Sequence, residues 1–351
     1  MNELERILSA AHGSISSGEP SAVATILATE GSSFRRAGTR LWLGAGQRVG
    51  AVSGGCLESD LAERAGSVIR SARPLVIAYD SSADGDVLWG IASGCGGVLQ
   101  ILLEPLTPAL LGDLAWLQDE LEERRTAVLV TRWDGSRATR QRFAAAPAQQ
   151  ATPETLLAAR AFRVGRTVTA SEAASLLLAE AHFPPVALTV FGSGADARAV
   201  SRLAPSLGWK SVLLSDPPSA DQALAKGEVL TDARSAVLLM THNFHRDANL
   251  LARIGGTAAG YIGILGPRRR TLDLLGGEGM PAREMPALHT PPGLDIGGET
   301  PEEIALSLLA EIQAHFAGRQ GGKLRERLTP IHDRESSIEI EPQLATAERK
   351  P

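Results

Sequence analysis

The spacing of apolar positions changes several times along the chain, and each change marks an element. Leu4, Ile7, Leu8 and Ala11 recur at i, i+3, i+4 and i+7, the period of an amphipathic helix. Ala22–Thr29 is then an apolar run, and Leu41–Leu43 and Val49–Val52 flank the turn-rich Gly44-Ala45-Gly46; all three read as strands. Leu57–Ile69 returns to helical spacing, with Leu57, Leu61, Ala65, Val68 and Ile69 on one face. Leu75–Tyr79 and Val98–Glu104 read as further strands. A helix near Pro108–Glu123, a strand at Ala127–Trp133 and a turn at Asp134-Gly135 follow. The Ala/Gln/Pro-rich stretch Ala144–Pro153 reads as a loop or linker.

From Pro185 onward the pattern becomes a regular alternation. Apolar runs at Val186–Phe191, Ser211–Leu214, Ala236–Met240 and Gly260–Leu265 are strands, with a helix at Ala197–Leu207 between the first two. Strands alternating with helices predict a parallel, doubly wound sheet. Thr300-Pro301-Glu302-Glu303 supplies an N-cap, a first-turn proline and a third-position carboxyl group for a final helix ending at Phe316. The expected class is α/β, in four blocks. Residues 1–108 form a mixed α/β domain with glycine-cysteine loops, and 109–184 a middle segment and linker. Residues 185–318 form a Rossmann-like domain, and 319–351 a polar tail.

Composition narrows this picture. The 351 residues suit two or three domains at roughly 150 residues each. With 44% hydrophobic and 21% charged residues, the chain is not wholly disordered. The 35 basic and 40 acidic residues leave a net charge of −5, so no basic excess points to nucleic acid or an anionic membrane. The start, MNELERILSAAHGS, lacks the basic-then-apolar order of a signal peptide, and no apolar run is long enough to span a bilayer. A cytoplasmic location is expected, where the two cysteines, Cys56 and Cys95, stay reduced.

Candidate chemistry lies in the glycine-rich loops. Gly192-Ser193-Gly194-Ala195-Asp196-Ala197 is G-x-G-x-x-A between a predicted strand and helix. There Gly192 and Gly194 permit a tight turn against phosphate, although Asp196 within the turn opposes an anion. Asp216 lies 22 residues beyond Gly194, where a ribose-binding acid is expected. Ser53-Gly54-Gly55-Cys56 leads into a helix, whose N-terminal dipole lowers a thiol pKa and favours a nucleophile or soft-metal ligand. Cys95 has Gly94 and Gly96 on either side. Gly31–Gly38 contains Arg35 and Arg36 and reads either as an anion cradle or as a solvated loop. Asp80, Asp84 and Asp86 lack calcium-loop spacing and read as a solvated loop.

Together these motifs resemble the XdhC/CoxI family of accessory proteins for xanthine dehydrogenase and carbon monoxide dehydrogenase maturation. The resemblance rests on GSS-x-R-x-x-G at Gly31–Gly38, GGCLE at Gly54–Glu58 and GCGG followed by LLEP at Gly94–Pro105. It continues with Met240-Thr241-His242, Tyr261–Arg269, Pro292–Gly297 and Thr300–Ala305, and spans about residues 15–332. Three departures fall in the Rossmann block. Gly192-Ser193-Gly194-Ala195 stands for GAGH, Pro267 replaces a serine, and Pro217 rather than arginine follows Asp216.

The resemblance implies a non-catalytic factor that binds the molybdenum cofactor (molybdopterin), assists its sulfuration and delivers it to an apo molybdenum hydroxylase. Cys56 would be the thiolate contact or transient sulfur handler, Cys95 the second candidate, and Arg35 and Arg36 the phosphate contacts, with Gly54 and Gly55 leaving the approach open. A cysteine desulfurase is a further candidate partner, and a homo-oligomer is expected. Two alternatives stay open. One is an NAD(P)-dependent oxidoreductase, with the nucleotide on Gly192, Gly194 and Asp216 and with His242 as proton donor ahead of His245 and His289. The other is a sulfurtransferase acting through a persulfide on Cys56.

Overall fold

The computed structural model describes residues 3–31, 35–55, 57–80, 97–172, 175–267, 269–270, 273–274, 285, 287–328 and 338–339. The chain divides into two units, one formed by Asn2–Pro184 together with the chain from Arg327 onward, the other by Pro185–Glu326.

The N-terminal unit contains helices α1 (Glu3–Ser17), α2 (Glu58–Ser71), α3 (Pro108–Glu122) and α4 (Pro153–Val164). Its first sheet comprises β1 (Ser21–Gly31), β2 (Arg40–Gly44), β3 (Gln47–Gly50), β4 (Leu75–Asp80) and β5 (Gly97–Pro105). It is antiparallel, in the order β3-β2-β1-β5-β4. The second sheet comprises β6 (Ala127–Trp133), β7 (Ala138–Phe143), β8 (Val168–Glu172), β9 (Ser175–His182) and β15 (Ile338–Glu339). Its order is β15-β8-β9-β6-β7, with β15 running parallel to β8.

Strand β1 is central and buried on both faces. Ala22, Ala24 and Ile26 pack with Leu61, Ala65 and Val68 of α2, while Val23 packs with Ile7 and Leu8 of α1 and Leu114 of α3. Ala127 and Leu129 share the second cluster and Trp133 and Leu178 the first, so the 109–184 segment is part of this unit's core. The outer face of the second sheet is covered by α4 through Leu157, Ala158 and Ala161.

The second unit, Pro185–Glu326, is the predicted doubly wound parallel sheet. Its strands are β10 (Ala187–Phe191), β11 (Lys210–Leu214), β12 (Ser235–Leu239), β13 (Tyr261–Ile264) and β14 (Leu288–His289), in the order β11-β10-β12-β13-β14. Every residue of β10, β12 and β13 is buried, which explains why they appear in the sequence as unbroken apolar runs. Helices α5 (Ala195–Leu203) and α8 (Pro301–Phe316) cover one face; α6 (Pro217–Ala225) and α7 (Phe244–Ile254) cover the other. Thr300 and Glu303 form the expected capping box of α8. The strand order reverses between β10 and β12, so the carboxyl ends of these two strands flank the crevice where such sheets bind ligands.

Candidate functional site

In the N-terminal unit, the turn ahead of α2 is built around one carboxylate. Glu58 and Ser53 are almost fully buried. Glu58 Oε1 accepts from the Val52 and Ser53 amides, at 3.1 and 2.8 Å, and Oε2 accepts from the Ser53 hydroxyl. That hydroxyl in turn accepts from the Gly55 and Leu57 amides, at 3.0 and 3.2 Å. Burial pushes the Glu58 carboxyl upward, but the hydrogen bonds from Ser53 and Val52 outweigh it and hold the group below its ordinary pKa.

The network therefore fixes the backbone on both sides of residue 56. Gly55 has φ +118, a left-handed conformation that favours glycine. Gly54 is exposed, and a Cβ there would meet nothing within 4 Å among the described residues. Packing does not require glycine at 54. Cys56 and Cys95 lie outside the described residues, as do Asp84 and Asp86; Asp80 is the last residue of β4.

Arg35 and Arg36 occupy the segment entering β2, with Arg36 exposed. Two antiparallel contacts close this segment, Ile26 N to Thr39 O at 3.0 Å and Gly38 N to Ile26 O at 2.8 Å. A buried ion pair holds it from beneath. Arg40 Nη2 lies 2.6 Å from Glu180 Oε2, with the two side chains 5% and 1% exposed, and Arg40 Nη1 donates to Gly38 O at 3.2 Å. Gly38 sits at φ +89, where an added Cβ would come within 2.9 Å of Glu180 Oε1. Burial alone would raise the Glu180 carboxyl, but the Arg40 charge overrides it and holds the group at about 2. Arg40 and Glu180 escaped the sequence reading, because their partnership spans 140 positions.

In the second unit the phosphate-type turn has its expected shape. Gly192 (φ +153) passes so close to β12 that a Cβ would lie 2.4 Å from Met240 O. Gly194 is the N-cap of α5, and a Cβ there would lie 3.7 Å from His242 Nε2. The fold thus brings Gly194 and His242 together at the crevice. His242 is exposed and has φ +55, an uncommon conformation for a residue with a side chain. Its neighbours brace it. The Thr241 hydroxyl donates to Asp247, and Arg270 Nη2 donates to the other Asp247 oxygen at 2.7 Å, with Asp247 fully buried.

Asp216 caps α6. Oδ1 accepts from Ser219 N at 2.9 Å and Oδ2 from the Ser219 hydroxyl at 2.8 Å, and these bonds hold its carboxyl below the ordinary range. It remains exposed at the end of β11. His245 lies on α7. His289, on β14, is remote from the turn in its contacts: it stacks on Tyr261 at 4.1 Å and its Nδ1 lies 3.2 Å from Glu311. Glu311 also accepts from Tyr261 Oη and from Gly293 N, tying the Pro292–Gly297 element to α8. Among the described residues no cluster of His, Cys, Asp and Glu is arranged to hold a metal ion, and no helix is long and apolar enough to cross a membrane.

Comparison with known proteins gives two family matches, one to the XdhC and CoxI family over residues 14–80 and one to the XdhC Rossmann domain over residues 188–312. A protein of Bacillus subtilis described as a probable subunit of xanthine dehydrogenase is 29% identical over 84% of this chain and 92% of its own length. The molybdenum cofactor insertion chaperone PaoD of Escherichia coli is 27% identical over 87% of this chain and 86% of its own. A crystal structure described as a xanthine dehydrogenase from Bacillus halodurans superposes with a TM-score of 0.73 at 28% identity, covering 91% of this chain and 97% of that one. With a doubly wound second unit and both family matches in place, the chain belongs to the XdhC and CoxI family.

Proposed function

We propose that the chain is a molybdenum-cofactor chaperone of the cytoplasm. It binds the pterin cofactor, assists its sulfuration and inserts it into an apo-enzyme of the xanthine dehydrogenase or carbon monoxide dehydrogenase type. The observation that carries this reading is the Glu58–Ser53 network, which uses a buried carboxylate to hold an exposed Gly54-Gly55 turn immediately before Cys56. A glycine turn with no described atom within 4 Å of where a Cβ would stand admits a bulky, flat ligand. A thiol at the start of a helix suits the soft dithiolene end of that ligand. The resemblance to PaoD along most of both chains supports the same reading. In this reading Arg35 and Arg36 contact the cofactor's phosphate, and a cysteine desulfurase supplies the sulfur. The Rossmann crevice offers a second, nucleotide-type site at Gly192, Gly194, Asp216 and His242.

The test is to produce the chain in cells that make the cofactor, purify it, oxidise the sample and measure pterin fluorescence. A stoichiometric pterin signal that falls at least about tenfold in Cys56→Ala is the expected result. Absence of pterin, under conditions that load an established carrier, overturns the proposal. Titration with NAD and NADP separates the oxidoreductase alternative, which requires one of them to bind.

A further inference from the structure

Between α6 and α7 the second unit carries an open groove of about 730 Å³ that none of the roles above uses. Ala220 and Leu250 are the deeply buried part of its lining, and Asn243, His245, Arg246 and Asn249 are its polar wall. Three observations bear on what it takes. Arg246 Nη2 is sealed from solvent and has no hydrogen-bond partner among the described residues. Leaving such a donor unmet costs about 1–3 kcal/mol, so an acceptor is missing there. His245, on the wall, is held edge-on by the ring of Phe244, which lies outside the lining, at 5.7 Å. The remaining cation, Arg253, is already paired with Asp221 at 2.7 Å. The groove is thus an apolar floor with a polar wall that holds one sealed, unmet donor. It is not a sink for a second phosphate.

Its position decides the ligand class. Pro217 follows Asp216 at the end of β11 and Asn243 follows His242 at the end of β12, so the groove continues from the carboxyl edge of the sheet. In a sheet of this type the phosphate sits on the glycine turn and the acid on the next strand holds the ribose. What extends past the ribose is the base. Building on the nucleotide-type crevice described above, we propose that the α6–α7 groove takes the nucleoside end of a nucleotide, with the ribose at Asp216, the base over Ala220 and Leu250, and Arg246 and Asn249 hydrogen-bonding to the base.

The experiment is calorimetric titration of the full chain with AMP, CMP, GMP and UMP, against ribose 5-phosphate and inorganic phosphate. At least one nucleoside monophosphate should bind about tenfold or more tighter than ribose 5-phosphate. Arg246→Ala and Asn249→Ala should erase that difference while leaving ribose 5-phosphate binding unchanged. An azido derivative of the tightest nucleotide should label a peptide within residues 243–253 of the unaltered chain, which keeps the test valid if a variant misfolds. Equal binding of nucleotides and ribose 5-phosphate, no binding of either, or labelling elsewhere overturns the proposal. Pterin retention is measured separately. A chain that carries pterin but ignores nucleotides loses only this inference, and one that binds nucleotides but no pterin loses only the carrier reading.

Discussion

Replacing Glu58 by Gln tests whether the turn before α2 hangs on one carboxylate. The glutamine keeps the size of the side chain. Its carbonyl oxygen can stand at the Oε1 position and go on accepting from the Val52 and Ser53 amides. Its amino group must then stand at Oε2, facing a hydroxyl whose lone pairs already receive the Gly55 and Leu57 amides. The Ser53 proton loses its acceptor, and the new amino group finds none. A hydrogen bond to a charged group is worth about 1.5–3 kcal/mol, so the N-terminal unit should lose about 2 kcal/mol, or roughly 4–8 °C in melting temperature.

The pH dependence provides a second measurement. Because the folded carboxyl lies below its ordinary value of 4.5, its stabilisation is present above that pH and is lost as pH falls through the folded value. Glu58→Gln removes this part of the acid sensitivity, so the gap between variant and parent should narrow on acidification. Urea denaturation at neutral and acid pH, with hydrogen exchange at the Gly55 and Leu57 amides, reads both effects. Stability within about 0.5 kcal/mol of the parent, with both amides still protected, would show that the network does not hold the turn.

The remaining expectations concern other loops and pH. Glu180→Leu should cost about 3–5 kcal/mol by stranding Arg40, and adding Arg40→Met should recover most of it; a double variant as unstable as the single would refute the pairing argument. Gly192→Ala forces a Cβ against Met240 O and should cost the second unit more than about 3 kcal/mol in urea unfolding. Gly54→Ala should change stability by less than about 0.5 kcal/mol yet reduce pterin retention, whereas equal retention would remove the open-turn argument. Burial, and then the charge of His289, hold His315 below its ordinary 6.5. The second unit should therefore lose stability as pH falls below 6.5, with His315→Gln flattening that slope in a thermal-melt series.

What the sequence revealed depended on where charge was buried. The second unit was legible because its strands are apolar on both faces and glycines punctuate them. Its one shortened helix has a local cause. α5 stops at Leu203 and becomes a 3₁₀ turn over Ala204–Leu207, because Pro205 has no N–H to continue the ladder. Strands β7, β8 and β9 went unread. The buried positions of β7 and β9 include two charges, Arg140, paired with Glu104 of β5, and Glu180, paired with Arg40 of β2. Two internal ion pairs erase the alternation that reveals a strand, and their partners lie 36 and 140 positions away. Helix α4 was missed for a different reason. Thr152-Pro153 has the same cap-and-proline start as Thr300-Pro301, but a polar, alanine-rich approach gave it the appearance of the end of a loop.

The candidate loops share one device that motif reading does not show. A carboxylate or amide side chain anchors five of the described turns. Glu58 anchors the turn before α2, Glu180 through Arg40 the segment at Gly38, and Asp216 and Asn243 the starts of α6 and α7. Glu311 anchors the Pro292–Gly297 element. Glycines at 54 and 55 can then stay exposed while the turn keeps one conformation, because the neighbouring amides are already bonded. A site set in its bound shape avoids the ordering cost of association and so favours slow release. That is the behaviour required of a protein that shields a labile cargo until a partner takes it. An enzyme limited by product release needs the opposite, loops that open on each turnover. Hydrogen exchange should therefore find the Gly55, Leu57 and Gly293 amides protected before any ligand is added. If they become protected only when pterin is added, the proposed carrier role would work by induced fit, and the anchoring carboxylates serve the fold alone.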